Sequence, residues 1–418
     1  MPLIPTFSPK GRRGKDFIMK KIRYPFGTIT INDTAKKLIG EALDSTRVSG
    51  GKLVREFEEK FAALVGTKEA VAVSSGTDAD ALAMAVLYDF GAQRGDEVIV
   101  PALSFVATGN AVLQAGFIPR FVDIRRETLN IDPAKIEAAI TPKTRAIMPV
   151  HLMGKPAEMD EILAIARKHK LTVIEDAAEA QSARYKGKEI GAIGDMAAFS
   201  LYIAHIISTV EGGIVTTNNE DYAEILRSLR AHGRACKCKT CLLNTVSKYC
   251  TKRFKYDTDI RFVFERIGFS AKMNELEAAV GLGYLEIYPQ IYKKRLENFN
   301  YLHEKFARFE PLLTTIHPSM HDTMAPYAFA VMVGSKARFS KDKLVAYLEK
   351  NEVDTRSLFQ SMPTQCRGFE FLNYPKDAFP EAEWVSKNGF HIGIHQDIGK
   401  EHIDYFIYLL ENFVKNEA

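Results

Sequence analysis

No run of apolar residues in this 418-residue chain is long enough to span a bilayer, so no membrane-crossing helix is expected. The chain has neither G-x-G-x-x-G nor a P-loop, and nucleotide binding of those two kinds loses its support. A strong charge of one sign is also missing. With 56 Lys and Arg against 52 Asp and Glu, the net charge of +4 is too mild to imply nucleic acid. Only the start, "SPKGRRGKDFIMKKIR", is locally basic, and it reads as a tail over residues 1–24. That start lacks the apolar core and small-residue cleavage site of a secretory signal, so a reducing cytoplasm is the expected compartment. Cysteine is scarce and unevenly spread: of five, four lie in "CKCKTCLLNTVSKYC", from Cys236 to Cys250. An odd, clustered set is unlike a disulfide framework and points to metal or redox work.

What is present is the composition of an ordinary globular protein, 46% hydrophobic and 26% charged, with enough chain for one large and one small domain. Between about residues 50 and 230, "AVAV", "EVIVP", "IPRFVDI", "RAIMPV", "LTVIED", "AAFSLY" and "GIVTTN" read as strands, and helical patterns separate most of them. That alternation predicts an α/β fold with a mostly parallel sheet, and ligands in such sheets sit at the strands' C-terminal ends. The cysteine stretch, residues 234–254, reads as an inserted loop in a large domain spanning 25–285. A smaller α+β domain is expected over 286–418.

Two stretches carry candidate chemistry. "AVAVSSGTDADALAMAVL" sets Ser74, Ser75, Gly76 and Thr77 between a strand and a helix, where free N–H groups and hydroxyls suit a phosphate; a capped turn explains the same residues. "LTVIEDAAEA" ends a strand on Glu175 and Asp176. An acid there could hold a ring nitrogen protonated, or it could cap the next helix.

A third stretch, "AAFSLYIAHIISTVEGGIVTTN", joins "SSGTDADAL", "PALSFVATGNAVLQAG", "FVDI", "PVHLMG" and "IEDAAEA" in an order that resembles the DegT/DnrJ/EryC/StrS sugar aminotransferases, pyridoxal phosphate enzymes of fold type I. The resemblance covers roughly residues 25 to 410. It implies an aspartate aminotransferase-like fold, a homodimer with shared active sites, and a cofactor held by Gly76, Thr77 and Ser200 at its phosphate. Phe105 would stack on its ring and Asp176 would meet the ring nitrogen. Glu179 stands where family members often carry glutamine near the ring hydroxyl, and a carboxylate there would repel a phenolate.

The family's Schiff-base lysine falls five residues after Ser200, and here that residue is His205. No lysine lies between Lys188 and Lys237 to replace it. An imidazole moves protons near neutral pH but forms no stable imine, so the cofactor is expected as non-covalently held pyridoxamine 5′-phosphate. A packed core histidine in a degenerate enzyme is the plainer alternative.

Within the family, lysine-to-histidine marks the sugar 3-dehydratases, and "GRACKCKTCLLNTVSKYCTKRF" with "IGFSAKM" resembles the branch that carries an iron–sulfur cluster. The resemblance implies ligands among Cys236, Cys238, Cys241 and Cys250, with a two-iron cluster expected, a four-iron cluster an alternative, and tetrahedral zinc the non-redox option. Two positions depart from the branch. Ala178 stands where one cluster ligand is expected, and Ser270 where many members have asparagine. The implied reaction is removal of the C-3 hydroxyl from a nucleotide-linked 4-keto-6-deoxy sugar, with electrons from a partner reductase. Two rivals remain: a dehydratase using an amine donor with zinc or no metal, and a non-catalytic metal-stabilised scaffold.

Overall fold

The computed structural model describes residues 21–239, 241, 249–255 and 257–417. The basic tail expected over residues 1–24 therefore lies mostly outside the described residues. Its last member does not behave as a tail: Tyr24 is fully buried and its hydroxyl donates to the Gly393 carbonyl at 2.8 Å.

Seven strands form the main sheet: β1 Glu69–Val73, β2 Glu97–Pro101, β3 Ile118–Val122, β4 Thr144–Ile147, β5 Thr172–Asp176, β6 Met196–Ser200 and β7 Gly213–Thr217. Their order is β1-β7-β6-β5-β4-β2-β3. Strand β7 is antiparallel to both neighbours and every other pairing is parallel, which bears out the mostly parallel sheet read from the sequence. These strands are buried on both faces, as parallel strands covered by helices must be; β1 and β6 are mostly apolar, while β5 ends on two buried carboxyls.

Alternation along each strand divides the interior into two cores. Helix α1 is Asp33–Asp44. Ala70, Ala72, Val173 and Phe199 face one side with helix α2, Lys52–Val65; Val71, Val73, Ile174 and Ala198 face the other with α3, Gly76–Ala85, and α4, Val106–Gln114. A 32-residue helix, Glu275–Phe306, runs from the large domain into the smaller one with Pro289 inside it, so the boundary expected near 285 falls within a continuous helix. The smaller unit has a four-stranded antiparallel sheet built on Ala328–Val333 and Gly389–Gly393.

The entry to α2 depends on this long helix. Gly51 offers no side chain to cap α2, and the buried Glu275 does so from across the chain, accepting from the Gly51, Leu53 and Val54 amides at 2.8, 3.0 and 3.0 Å. Glu275→Ala leaves three helix-end donors without a partner in a part-buried setting and should cost about 3 kcal/mol. Chemical denaturation checks this; a loss within experimental scatter would mean that water caps α2 equally well.

Candidate active site

The candidate residues gather at the C-terminal edge of the parallel strands. Strand β1 ends at Val73, and Ser75 caps α3, its hydroxyl accepting from the Asp78 amide at 3.0 Å. The turn presses on the end of β6: a Cβ on Gly76 would come within 2.6 Å of the Ser200 Cβ. Glycine is required for that approach, and it brings the first amides of α3 beside the Ser200 hydroxyl, a cradle for an anion at a helix N-terminus. The capped turn is present, and the phosphate reading rests on the same residues.

Asp176 ends β5, 4% exposed. It caps no helix; its oxygens accept from the Thr108 hydroxyl at 2.7 Å and the Ala178 amide at 3.2 Å. Burial raises its pKa, and those two donors oppose the rise. Thr108 lies in the first turn of α4, and Phe105 is the N-cap residue of that helix, so one helix start positions both. The Phe105 ring is exposed and lies 5.8 Å from that of Phe359 in the smaller domain.

Behind Asp176, Glu175 points into the opposite core, where it meets His151 Nε2 at 3.1 Å and accepts from the Gly191, Ile193 and Gly194 amides. His151 Nδ1 accepts from the Ala157 amide at 3.0 Å, so its proton sits on Nε2 and is donated to Glu175.

His205 lies in the loop after β6, 9% exposed, with its ring 5.3 Å from Tyr327. The loop is pinned by Gln181, whose amide donates to the Ser200 carbonyl at 2.6 Å and accepts from the Ile206 and Ile207 amides. Burial, with the Arg295 guanidinium acting in the same direction, lowers the His205 pKa from 6.5 to about 3, and its Nδ1 has no hydrogen-bond partner among the described residues. Arg295 is itself buried and donates to the Tyr327 carbonyl at 3.2 Å; burial lowers its pKa to about 10.

Glu179 accepts from the Met153 amide at 2.7 Å, yet burial, with Asp176 adding repulsion, pushes its pKa up to about 8. At neutral pH the acid form is favoured, and an acid donates to a phenolate rather than repelling it.

The cysteines lie elsewhere. Cys236, Cys238 and Cys241 line a cavity of about 190 Å³ with Arg227, Arg261 and Met273. Burial and its thiol neighbour Cys238 raise the Cys236 pKa. No group of three metal-ligating side chains is arranged around one point among the described residues, and Cys250 is not among the cavity's lining residues. The segment between this cavity and the phosphate turn is Ser270–Met273: Ala271 accepts from the Ser74 amide at 3.2 Å, while Lys272 and Met273 line the cavity.

The profile of the DegT/DnrJ/EryC1/StrS aminotransferase family matches residues 30–411. The chain belongs to that family. It is 34% identical to the dTDP-4-dehydro-2,6-dideoxy-D-glucose 3-dehydratase of Saccharopolyspora spinosa, over 94% of this chain and 87% of that one. It is 35% identical to the GDP-perosamine synthase of Caulobacter vibrioides, over 89% and 93%. Among solved structures it is similar to the E. coli GDP-4-keto-6-deoxy-D-mannose-3-dehydratase with bound hydrated PLP, at a TM-score of 0.84 and 30% identity, covering 93% of this chain and all of that one. The fold is therefore that of the PLP-dependent sugar aminotransferases, as the sequence resemblance implied.

Family motifs locate Gly76, Asp176, Ser200 and His205 but not Thr108, Gln181 or Arg295. Only Gln181 left a signal, as a polar residue close behind "IEDAAEA". Glu179 supplies a test of how dry this pocket is. Its pKa is raised, so its contribution to stability is complete below the unfolded value near 4.5 and is lost as pH rises through about 8. The melting temperature of the parent should thus fall relative to Glu179→Gln across that window. Parallel curves would place an ionised Glu179 in the fold.

Proposed function

We propose that this chain is a pyridoxamine 5′-phosphate-dependent 3-dehydratase of a nucleotide-linked 4-keto-6-deoxy sugar, with an iron–sulfur cluster in its cysteine loop. The observation that carries the proposal is His205: a buried imidazole whose Nδ1 has no partner among the described residues stands where the family's lysine would be, in a chain that keeps Gly76, Asp176 and Ser200. Two of the relatives above bear 3-dehydratase names, which supports the same reading.

The pocket fits the cofactor. The α3 amides and Ser200 would hold its phosphate, Phe105 would cover one ring face, Asp176 would meet the ring nitrogen and Glu179 the ring hydroxyl. When bound, pyridoxamine phosphate supplies an amine for the sugar ketone and a ring that takes up electrons. His205, uncharged at neutral pH, would accept the proton at the cofactor's C4′ carbon and return it toward the departing C-3 hydroxyl, which would leave as water. Asp176, kept a hydrogen-bond acceptor by Thr108 and Ala178, would hold the proton on the ring nitrogen. Gln181 fixes the loop so that the imidazole stays in reach.

Elimination leaves a product two electrons short of the 3-deoxy ketone. Cys236, Cys238, Cys241 and Cys250 would hold the cluster, which would pass electrons singly from a reductase. Three thiols in one cavity beside cationic side chains suit an anionic cluster. A homodimer in the cytoplasm completes the reading.

His205→Asn should lower turnover by about a thousandfold while the protein still binds pyridoxamine phosphate, as its absorption spectrum would report. Turnover near the parent's would remove His205 as the base. Anaerobically purified protein should contain iron and matching sulfide with broad visible absorption, and Cys236→Ser and Cys241→Ser should each deplete the iron. About one zinc per chain without sulfide would instead favour the dehydratase fed by an amine donor.

A further inference from the structure

The thiol cavity is lined by a buried cation with donors to spare. Arg227 lies in the last turn of the helix Glu220–Leu229, lines the cavity with Cys236, Cys238 and Cys241, and is only 7% exposed. Its Nη2 donates to Glu69 at 3.0 Å, while its Nε and Nη1 have no hydrogen-bond partner among the described residues. A guanidinium stays charged even when buried, so donors left over in such a place call for an acceptor.

The helix end that carries Arg227 is fastened to the cysteine run on both sides. Before Cys236, the Ser228 hydroxyl donates to the Arg234 carbonyl at 2.6 Å and the Gly233 amide donates to the Ser228 carbonyl at 2.9 Å. After Cys238, Lys239 donates to the second oxygen of Glu69 at 2.6 Å. Glu69 therefore joins Arg227 to the loop. A guanidinium whose task was to pair with Glu69 would offer two nitrogens to two oxygens; here one oxygen goes to Lys239, and two guanidinium nitrogens remain. Three other arginines of the cavity are committed: Arg55 to Glu59 at 2.7 Å, Arg230 to Glu58 at 2.5 Å, and Arg261 to Asp259 at 2.9 Å. Arg234 also has an unpartnered Nε but is less buried.

Water would satisfy the two donors but would not offset the charge; an anion in the cavity does both. We propose that Arg227 is a positioning residue for a thiolate-bound metal centre in this cavity, donating from Nε and Nη1 to the sulfur atoms of that centre, which it thereby retains and holds more readily reduced. Reduction adds one electron, supplied by the reductase, and one negative charge, which a neighbouring guanidinium favours. The inference rests on the reading of the cysteine loop as a cluster site, and it adds a residue that cysteine spacing does not reveal.

Paramagnetic resonance reads the contact directly. Anaerobically purified protein labelled with 15N only in its arginine side chains, and reduced with dithionite, should show a 15N hyperfine coupling to the cluster spin. The coupling should be absent from Arg227→Lys labelled in the same way. A reduced centre without any arginine coupling, or a coupling that survives in Arg227→Lys, would overturn the proposal. The measurement on the parent needs no substitution, so it decides the matter even if a variant fails to fold.

A dye-equilibrated redox titration reads the charge. At a fixed potential, Arg227→Lys, which keeps the cation, should hold its reduced-to-oxidised ratio within about threefold of the parent's. Arg227→Met, with a long side chain but no charge, should lie about tenfold lower, which is about 59 mV for one electron. Equal ratios in Arg227→Met and the parent would refute the electrostatic role. Zinc in place of iron would sink the cluster reading and yet leave a thiolate centre that is an anion. Its release to a chelator should then be about tenfold faster from Arg227→Met than from Arg227→Lys, and equal rates would end the inference as well. Protein purified with neither metal would overturn both.

Discussion

The hydrogen bonds to Glu175 set the direction in which Asp176 points. Glu175 is fully buried and its two oxygens take four donors: His151 Nε2 and the amides of Gly191, Ile193 and Gly194. Those donors hold Glu175 in the core shared with α2. Successive residues of a strand face opposite ways, so Asp176 must emerge on the face of α3 and α4. There it accepts from Thr108, beside the turn that carries Gly76. A misplaced Glu175 would turn the whole subsite. Gly194 has little freedom to be anything else, since a Cβ would lie 2.8 Å from the Val173 carbonyl and 3.2 Å from Glu175 Cγ.

The same dryness governs every ionisable group around that subsite. It pushes Glu179 up, pulls His205 down and raises Asp176, all in the direction that removes charge. A histidine held near 3 is a weak base. Negative charge on a bound cofactor phosphate and sugar diphosphate would favour its imidazolium form. On the proposed function, the base is strengthened when the reactants enter and is weak when the pocket is empty.

Contiguous sequence made much of this legible. The seven strands, the Ser75 cap, Asp176 at a strand end, and Ser200 five residues before His205 are all local patterns, and the structure places them at one edge of one sheet. Residues that work through tertiary contact left little trace. Thr108 looks like any threonine in "FVATGN", and Arg295 follows two lysines in "YKKRLEN", where burial of one cation has no periodic signature. The boundary expected at residue 285 falls inside a helix that joins two units; such a helix carries no turn residue to mark the join, and Pro289 does not break it.

The position of the cysteine loop can be argued from the same contacts. Ala271 accepts from the Ser74 amide, Val73 forms a bridge with Lys272, and Met273 reaches both the thiol cavity and the space beside Gly212, where a Cβ would lie 2.9 Å from its Cε. Residues 271–273 are therefore shared by the phosphate turn and the cysteine cavity. An insertion between β7 and the long helix 275–306 is free to vary in length because it leaves the sheet order untouched, yet its return must pass through this segment. If the loop holds the proposed cluster, electrons would enter beside the turn that would hold the cofactor phosphate, and no separate domain would be needed to bring the two together, whereas a zinc site in the same loop would gain nothing from that placement.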